Sequence, residues 1–202
     1  GHWSKALLCM KEELATVSES KTVLDTRPWE AVREGHLPNT IWSKANADFH
    51  RFAGSFIDAK EEIVLIVNAE ELDRALRNAI RIGLDNIVAW AEPELVSQIA
   101  CLETMPEIST EELEQKKNVS LLDVRRLPEF TDGAIPGAVN IAHTRLLERL
   151  EDIDKNATWV VNCKGGSRSA ASCMALKRNG YKVTNLAGGY EGWKQQTSCC
   201  LA

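Results

Sequence analysis

The stretch Thr158-Trp159-Val160-Val161-Asn162-Cys163-Lys164-Gly165-Gly166-Ser167-Arg168-Ser169 decides the fold of this chain. Its first five residues form a β-rich run, which is typical of a strand buried on both faces of a sheet. Two glycines break the run, and the small residues from Ser169 to Lys177 predict a helix that ends at Gly180. A buried strand that leads into a helix is the repeating unit of an α/β fold with a parallel sheet.

The residues on both sides of this stretch continue the alternation of strands and helices. Ser109 and Glu112 are spaced as a capping box, which predicts a helix that begins after Ser109. The other elements expected in this half are strands at 119–124, 138–141 and 183–186 and an amphipathic helix around Leu146, Leu147 and Leu150.

An internal repeat extends the same pattern to the first half of the chain. Val23-Leu24-Asp25-Thr26-Arg27 reappears 98 residues later as Leu121-Leu122-Asp123-Val124-Arg125. Gly35 and Pro38 recur at the same offset, and Ile66-Val67-Asn68 matches Val160-Val161-Asn162 at an offset of 94. The chain is therefore predicted to contain two domains of one α/β fold, residues 1–104 and residues 105–202, each a parallel five-stranded sheet flanked by helices.

Composition excludes several classes of protein. Hydrophobic residues make up 44% and charged residues 26% of the 202 residues, which is ordinary for a globular chain. The net charge is −5 and no long basic run is present, so nucleic-acid binding is not expected. The longest apolar run has five residues, as in Ile63–Val67, so no membrane-spanning segment is expected. The start Gly1-His2-Trp3 lacks both Met and a signal-peptide pattern, as expected either of residues left by cloning or of a piece of a longer protein.

The six cysteines form neither a metal-ligand pattern nor a disulfide framework. No CxxC pair occurs and only four histidines accompany them, so no metal site is predicted. A chain of this length needs no disulfide staples, and the absence of a secretory pattern favours a reduced, cytoplasmic setting. Cys9, Cys101 and Cys173 are interpreted as packing residues, whereas a mobile tail thiol at Cys199 or Cys200 could accept sulfur.

Cys163 differs from the other cysteines because its surroundings favour a thiolate. It precedes a predicted helix N-terminus, whose N–H groups favour negative charge. Lys164 and Arg168 add cationic side chains, and Gly165 and Gly166 allow the backbone N–H groups to turn inward as an anion-binding nest. This combination predicts a nucleophile that faces a pocket for an anionic ligand.

Three motifs in order resemble the rhodanese family of sulfurtransferases. The first runs from Asp123-Val124-Arg125 through Glu129-Phe130 to Gly133-Ala134-Ile135-Pro136-Gly137-Ala138. The second is the loop from Cys163 to Ser169, and the third is Asn185-Leu186-Ala187-Gly188-Gly189-Tyr190-Glu191-Gly192-Trp193. Together they cover nearly all of residues 106–195.

The resemblance implies a sulfurtransferase that works by double displacement through a persulfide on the catalytic residue Cys163. The donor would be thiosulfate or a small-molecule persulfide, the acceptor would be a thiol, and neither a cofactor nor a metal would be required. Asp123 and Arg125 would support the loop as a structural ion pair. The substrate-binding residues would be Lys164, Gly165, Gly166, Ser167, Arg168 and Ser169.

The first half resembles a degenerate, inactive rhodanese module. Alignment of Val67-Asn68 with Val161-Asn162 places Ala69 at the position of Cys163, followed by the acidic residues Glu70, Glu71 and Asp73. Arg74 survives and is expected to pair with a neighbouring carboxylate. Val23–Pro28 and Arg81–Asp85 also resemble the module in bacterial fusions with a metallo-β-lactamase-fold persulfide dioxygenase, which implies a role in sulfide and persulfide detoxification.

Two alternatives stay open at the level of sequence. A phosphatase or arsenate reductase of the same fold also has a loop from Cys to Arg, but five residues separate the two there, against four between Cys163 and Arg168. The shorter loop favours sulfur over phosphate as the bound group. The second alternative is a non-enzymatic docking or regulatory module.

Overall fold

The computed structural model describes residues 7–8, 11–44, 49–117 and 119–199. The chain divides into two compact units, Gly1–Thr104 and Met105–Ala202. Within the described ranges, no helix combines the length and the apolar character needed to cross a membrane.

The first unit contains a parallel sheet of five strands in the order β1-β5-β4-β2-β3. All residues of β2, β3 and β4 are buried, as expected when helices cover both faces of a parallel sheet. The strands are β1 (Leu7–Leu8), β2 (Thr22–Asp25), β3 (Thr40–Trp42), β4 (Ile63–Ile66) and β5 (Ile87–Ala91). The helices are α1 (Lys11–Ser18), α2 (Trp29–Glu34), α3 (Phe49–Phe56), α4 (Ala69–Arg81) and α5 (Pro93–Ser97).

The second unit has a parallel five-stranded sheet of the same order, β6-β10-β9-β7-β8. Its strands are β6 (Glu107–Ile108), β7 (Ser120–Asp123), β8 (Ala138–Asn140), β9 (Thr158–Asn162) and β10 (Lys182–Leu186). Its helices are α6 (Thr110–Gln115), α7 (Leu127–Thr131), α8 (Ser167–Arg178) and α9 (Gly189–Cys199). The predicted fold class, an α/β protein with two parallel five-stranded sheets flanked by helices, is confirmed.

Local predictions in the second unit hold with one exception. The capping box is present, because the N–H of Glu112 donates to Ser109 Oγ at 3.2 Å and the N–H of Ser109 donates to the Glu112 carboxylate at 2.7 Å. The amphipathic helix expected around Leu146–Leu150 is wrong. Two 3₁₀ segments occur instead, His143–Arg145 and Leu147–Asp152, and the backbone leaves helical geometry at Arg149.

Sheet register corrects the sequence alignment of the two units at the end of β4. Asp25 pairs with Ile66 and Asp123 pairs with Asn162, so Ile66 corresponds to Asn162 and Val67 corresponds to Cys163. The alignment that placed Ala69 opposite Cys163 is wrong by two residues. It failed because α4 begins at Ala69, only two residues after Val67, and the connection from strand to helix is two residues shorter than in the second unit.

Candidate active site

Cys163 lies where β9 ends and the connection to α8 begins. The sheet pairs β9 with both β7 and β10, so Cys163 follows a central strand at the carboxyl edge of the sheet. Four residues, Cys163 to Gly166, join β9 to α8. Cys163 is buried, with 1% of the residue exposed.

Two groups of the loop and the first turn of α8 face the Cys163 sulfur. The N–H of Gly166 donates to Sγ at 3.1 Å, and Ser169 Oγ lies 3.5 Å from Sγ. Ser169 Oγ also donates to the Gly166 carbonyl at 2.9 Å, which holds it against the loop. The loop and the first turn of α8 therefore place one backbone N–H and one hydroxyl beside the Cys163 sulfur.

The turn of the loop depends on Gly166. Its φ of +103° lies in the left-handed half of the map, which glycine adopts without the steric cost of a Cβ atom. This conformation aims the Gly166 N–H at the sulfur and lets α8 begin at the next residue.

Gly189 at the start of α9 fixes the loop from its other side. The N–H of Tyr190 donates to the Cys163 carbonyl at 2.8 Å, and the N–H of Glu191 donates to the Lys164 carbonyl at 3.0 Å. A Cβ atom at Gly189 would lie 2.5 Å from the Cys163 carbonyl oxygen and 2.8 Å from that of Lys164. The two carbonyls therefore bind α9, and only glycine permits this approach.

Both cationic side chains of the loop have carboxylate partners. Arg168 is bound by Glu129 of α7 in a bidentate pair, with both N–O distances at 2.7 Å, and Lys164 Nζ lies 3.2 Å from a Glu191 oxygen. The hydrogen bonds from Arg168 lower the pKa of Glu129 to about 2, and Glu129 in turn raises the pKa of Arg168. The sequence predicted Arg168 as a substrate-binding cation and did not identify Glu129 as its partner, although Glu129 belongs to the first motif.

Asp123 and Arg125 form a buried network behind the loop. Arg125 Nε and Nη2 donate to the Asp123 carboxylate at 2.6–3.0 Å, and Nη2 also donates to the Gly133 carbonyl at 2.7 Å. Asn162, the residue before Cys163, donates to the same carboxylate at 3.0 Å, and the Arg125 guanidinium stacks 4.3 Å from the centre of the Tyr190 ring. The network connects β7, the turn at Gly133, the end of β9 and α9.

The remaining predicted loop residues lie closer to the surface. Lys164 and Gly165 are exposed, whereas Ser167 and Arg168 are half-buried at the start of α8. The structure thus brings Gly166 and Ser169 to the sulfur and leaves the other loop side chains at its rim.

The other cysteines differ in environment. Cys173 is fully buried on α8, and burial raises the pKa of its thiol well above the ordinary value, as expected of a packing residue. Cys101 is exposed, so its interpretation as a packing residue is wrong. Cys9, Cys200 and the Cys199 side chain lie outside the described residues. Among the residues with described positions, no group of three or more His, Cys, Asp or Glu could hold a metal ion.

The first unit repeats the buried network without a thiol. Arg27 donates to Asp25 at 2.7–3.1 Å and to the Gly35 carbonyl at 2.7 Å. Val67, at the position of Cys163, is fully buried and carries no nucleophile. Arg74 forms an ion pair with Glu71, which confirms the expected carboxylate partner.

Comparison with known proteins matches the second unit to one family. The model of the rhodanese-like domain matches residues 107–196. Putative sulfurtransferase YtwF of Bacillus subtilis is 37% identical over 95 residues, which cover 45% of this chain and 92% of that protein. A protein of Allochromatium vinosum named sulfurtransferase is 35% identical over 92 residues, covering 43% of this chain and 86% of that protein. Putative sulfur carrier protein YrkF of Bacillus subtilis is 31% identical over 99 residues, and this chain spans about half of its length.

The residues that match the family include Cys163 and the residues that contact its loop. Residues 107–196 include β9, the loop after it, α8 and the start of α9. Because YtwF is matched over nine-tenths of its own length at 37% identity, the chain belongs to the rhodanese-like family.

Proposed function

We propose that this chain is a sulfurtransferase that moves a sulfane sulfur from thiosulfate or a low-molecular-weight persulfide to a thiol acceptor through a persulfide on Cys163. One observation carries the proposal: the buried Cys163 sulfur accepts the Gly166 N–H at 3.1 Å at the N-terminal end of α8. The names of YtwF and of the Allochromatium vinosum relative support the same class of reaction.

The first half-reaction is a displacement at sulfur. The Cys163 thiolate attacks the outer sulfur of thiosulfate, the S–S bond of the donor breaks, and sulfite leaves with the bonding electron pair. With an organic persulfide as donor the same attack releases the thiolate of the organic group. In the second half-reaction the acceptor thiolate attacks the outer sulfur of the Cys163 persulfide, which regenerates the Cys163 thiolate and forms a persulfide on the acceptor.

The surroundings of Cys163 stabilise negative charge on sulfur at each stage. The Gly166 N–H and the N-terminal end of α8 are placed to interact with negative charge on the transferred sulfur and on the persulfide that it forms. Ser169 adds a hydroxyl within 3.5 Å of Sγ. Asp123 and Arg125 act as supporting residues, because their network holds Asn162, the turn at Gly133 and Tyr190 rather than facing the sulfur.

A donor assay on the whole chain and on Cys163→Ser tests the proposal. We expect turnover with thiosulfate or glutathione persulfide in the unmodified protein, and loss of at least about a thousandfold in the variant, because the nucleophile is removed. Mass spectrometry of the donor-treated protein should show the mass of one added sulfur on Cys163. Equal turnover in both proteins would reject the sulfurtransferase. Failure of Cys163 to gain sulfur would favour a docking module, and hydrolysis of a phosphate ester would favour a phosphatase.

The proposal extends to the first unit as an inactive rhodanese-like module. Its support is the common strand order of the two sheets, the repeated Asp–Arg–glycine carbonyl network, and Val67 at the position of Cys163.

We further propose that the two units serve persulfide metabolism beside a metallo-β-lactamase-fold dioxygenase domain, on the resemblance of Val23–Pro28 and Arg81–Asp85 to such fusions. The reading frame upstream of Gly1 tests this directly, since it should encode the dioxygenase domain.

A further inference from the structure

Two ion pairs involve the cationic side chains that follow Cys163, and the four charges sum to zero. Arg168 and Lys164 are the cations, and Glu129 and Glu191 are the carboxylates that bind them. Because Lys164 and Arg168 lie within five residues of Cys163 in the chain, a donor bound at the Cys163 sulfur lies near these charges.

The pair between Arg168 and Glu129 is the tighter of the two. Both terminal nitrogens of Arg168 bind the carboxylate at 2.7 Å, with 19% of the arginine side chain and 34% of the glutamate side chain exposed. The N–H of Arg126 holds Glu129 at 3.2 Å. Glu129 therefore occupies the face of the guanidinium between its two terminal nitrogens, which is a pair of donors that an oxyanion could also bind.

The pair between Lys164 and Glu191 is looser and more exposed. Its N–O distance is 3.2 Å, and 61% and 52% of the two side chains are exposed. Glu191 belongs to the turn of α9 that also binds the Lys164 carbonyl, so its position follows the loop.

The consequence for a donor depends on its charge. At the group that enters the loop, thiosulfate carries two negative charges and leaves as sulfite with two, whereas an organic persulfide anion carries one and leaves as a thiolate with one. The carboxylates and the ammonium of glutathione lie on the organic group, several bonds away from the persulfide. The remaining attraction comes from backbone N–H groups and the dipole of α8, which amounts to about half a unit charge and already acts on the Cys163 sulfur. Side chains with no net charge therefore disfavour binding of a dianionic donor more strongly than binding of a monoanionic donor.

We propose that Glu129, with Glu191 in a secondary role, is a specificity-determining residue. Glu129 binds Arg168 and Glu191 binds Lys164, and these pairs favour organic persulfides over thiosulfate as sulfur donors. This inference rests on the sulfurtransferase function proposed above. It concerns the ratio of activities with two donors and not the presence of activity.

The test compares kcat/KM for thiosulfate and for glutathione persulfide in the whole chain and in three variants. Glu129→Gln should raise kcat/KM for thiosulfate by about tenfold, because Arg168 gains a free face and one negative charge is removed. The value for glutathione persulfide should change by less than about threefold. Glu191→Gln should shift the ratio in the same direction by about two- to threefold, since its pair is exposed.

The matched control is Glu148→Gln, which removes a carboxylate from the exposed Arg145 pair in the same unit. It should leave both donor activities unchanged. An unchanged donor ratio in both Glu129→Gln and Glu191→Gln would overturn the inference, as would an equal fall for both donors in a folded Glu129→Gln. If Glu129→Gln does not fold, the ratio in Glu191→Gln decides. Absence of turnover with either donor in the unmodified protein would instead refute the proposed function.

Discussion

At the scale of single residues, Gly189 makes the closest backbone approach at the site. Its left-handed φ of +56° and the 2.5 Å separation between a hypothetical Cβ atom and the Cys163 carbonyl leave no room for a side chain. The atoms in the way are backbone atoms of the loop, which cannot rotate aside as a side chain could.

We therefore expect Gly189→Ala to displace the Cys163 loop. The variant should lose at least about tenfold in sulfur-transfer kcat/KM and about 2 kcal/mol in free energy of unfolding. Gly54→Ala on α3 is the matched control, because a Cβ atom there meets only the Ile82 side chain, at an ordinary 3.6 Å, and it should remain close to the unmodified protein. Urea titration and the donor assay measure the two effects. If Gly189→Ala kept the kcat/KM and the free energy of unfolding of the unmodified protein, the Cys163 loop would not depend on the close approach of α9.

Glu129 gives a second prediction at this scale, through its acid titration. Arg168 lowers the Glu129 pKa from 4.5 to about 2, so the pair stabilises the folded state fully above pH 4.5 and loses that contribution as pH falls towards 2. At pH 7, Glu129→Gln should reduce the free energy of unfolding by about 1 kcal/mol or less, since the pair is partly exposed to solvent.

Urea titrations of the unmodified protein and Glu129→Gln at pH 7, 4 and 3 measure this difference. The difference should shrink between pH 4 and pH 3, whereas Glu148→Gln, whose pair is exposed, should give a small difference throughout. A difference between the two proteins that stays constant from pH 7 to pH 3 would contradict the assigned titration.

At the scale of elements, the connection after the fourth strand separates the two units. Four residues join β9 to α8, and two join β4 to α4. The shorter connection contains no glycine, so it offers no counterpart to the left-handed Gly166 that aims an N–H at sulfur.

A thiol placed in the shorter connection should therefore remain inactive. In a Cys163→Ser background, Val67→Cys should add no turnover and acquire no sulfur from thiosulfate or glutathione persulfide, because the two-residue connection has no glycine to aim an N–H at the sulfur. Mass spectrometry after donor treatment measures the sulfur, with the Cys163→Ser protein as the baseline. Added sulfur on the introduced thiol would contradict this prediction, because it would show that a persulfide forms in the first unit without the longer, glycine-containing connection.

Sequence patterns predicted the elements better than their details. The repeat at an offset of 98 located equivalent strands, since Asp25 and Asp123 end β2 and β7. The true offset of 96 between Ile66 and Asn162 was not accessible, because apolar strand residues resemble one another and register depends on pairing in the sheet. Hydrophobic spacing at Leu146–Leu150 likewise does not distinguish an α-helix from successive 3₁₀ turns.

The site was predictable where its residues are neighbours in the chain. Cys163, Gly166 and Ser169 follow from the local strand–loop–helix pattern, because one turn of backbone brings them together. The partnership of Arg168 with Glu129 spans 39 residues and depends on where α7 lies beside α8, which local patterns do not encode.

At the scale of the whole molecule, all contacts described for the Cys163 loop come from the second unit. The sulfur, the loop carbonyls and the loop cations are contacted by residues of β9, α7, α8 and α9. The family match also falls inside this unit, at residues 107–196.

Residues 105–202 expressed alone should therefore fold and transfer sulfur. We expect a cooperative urea transition and a donor kcat/KM within about threefold of the whole chain, because the unit has its own sheet and core. The Cys163→Ser form of the same fragment gives the baseline. A fragment that folds but has lost its activity would show that the first unit contributes to the reaction.

The buried aspartate–arginine network has a consequence for how such sequences are interpreted. Asp25 with Arg27 and Asp123 with Arg125 make the same bonds, yet the residue after the neighbouring strand is Val67 in the first unit and Cys163 in the second. The two units of this chain can therefore be compared directly. They share the strand order and the buried network, and they differ at the position that is Cys163 in one and Val67 in the other. A search of genomes by the Asp-x-Arg signature would count both copies as enzymes, whereas the length and glycine content of the segment after the fourth strand would distinguish them.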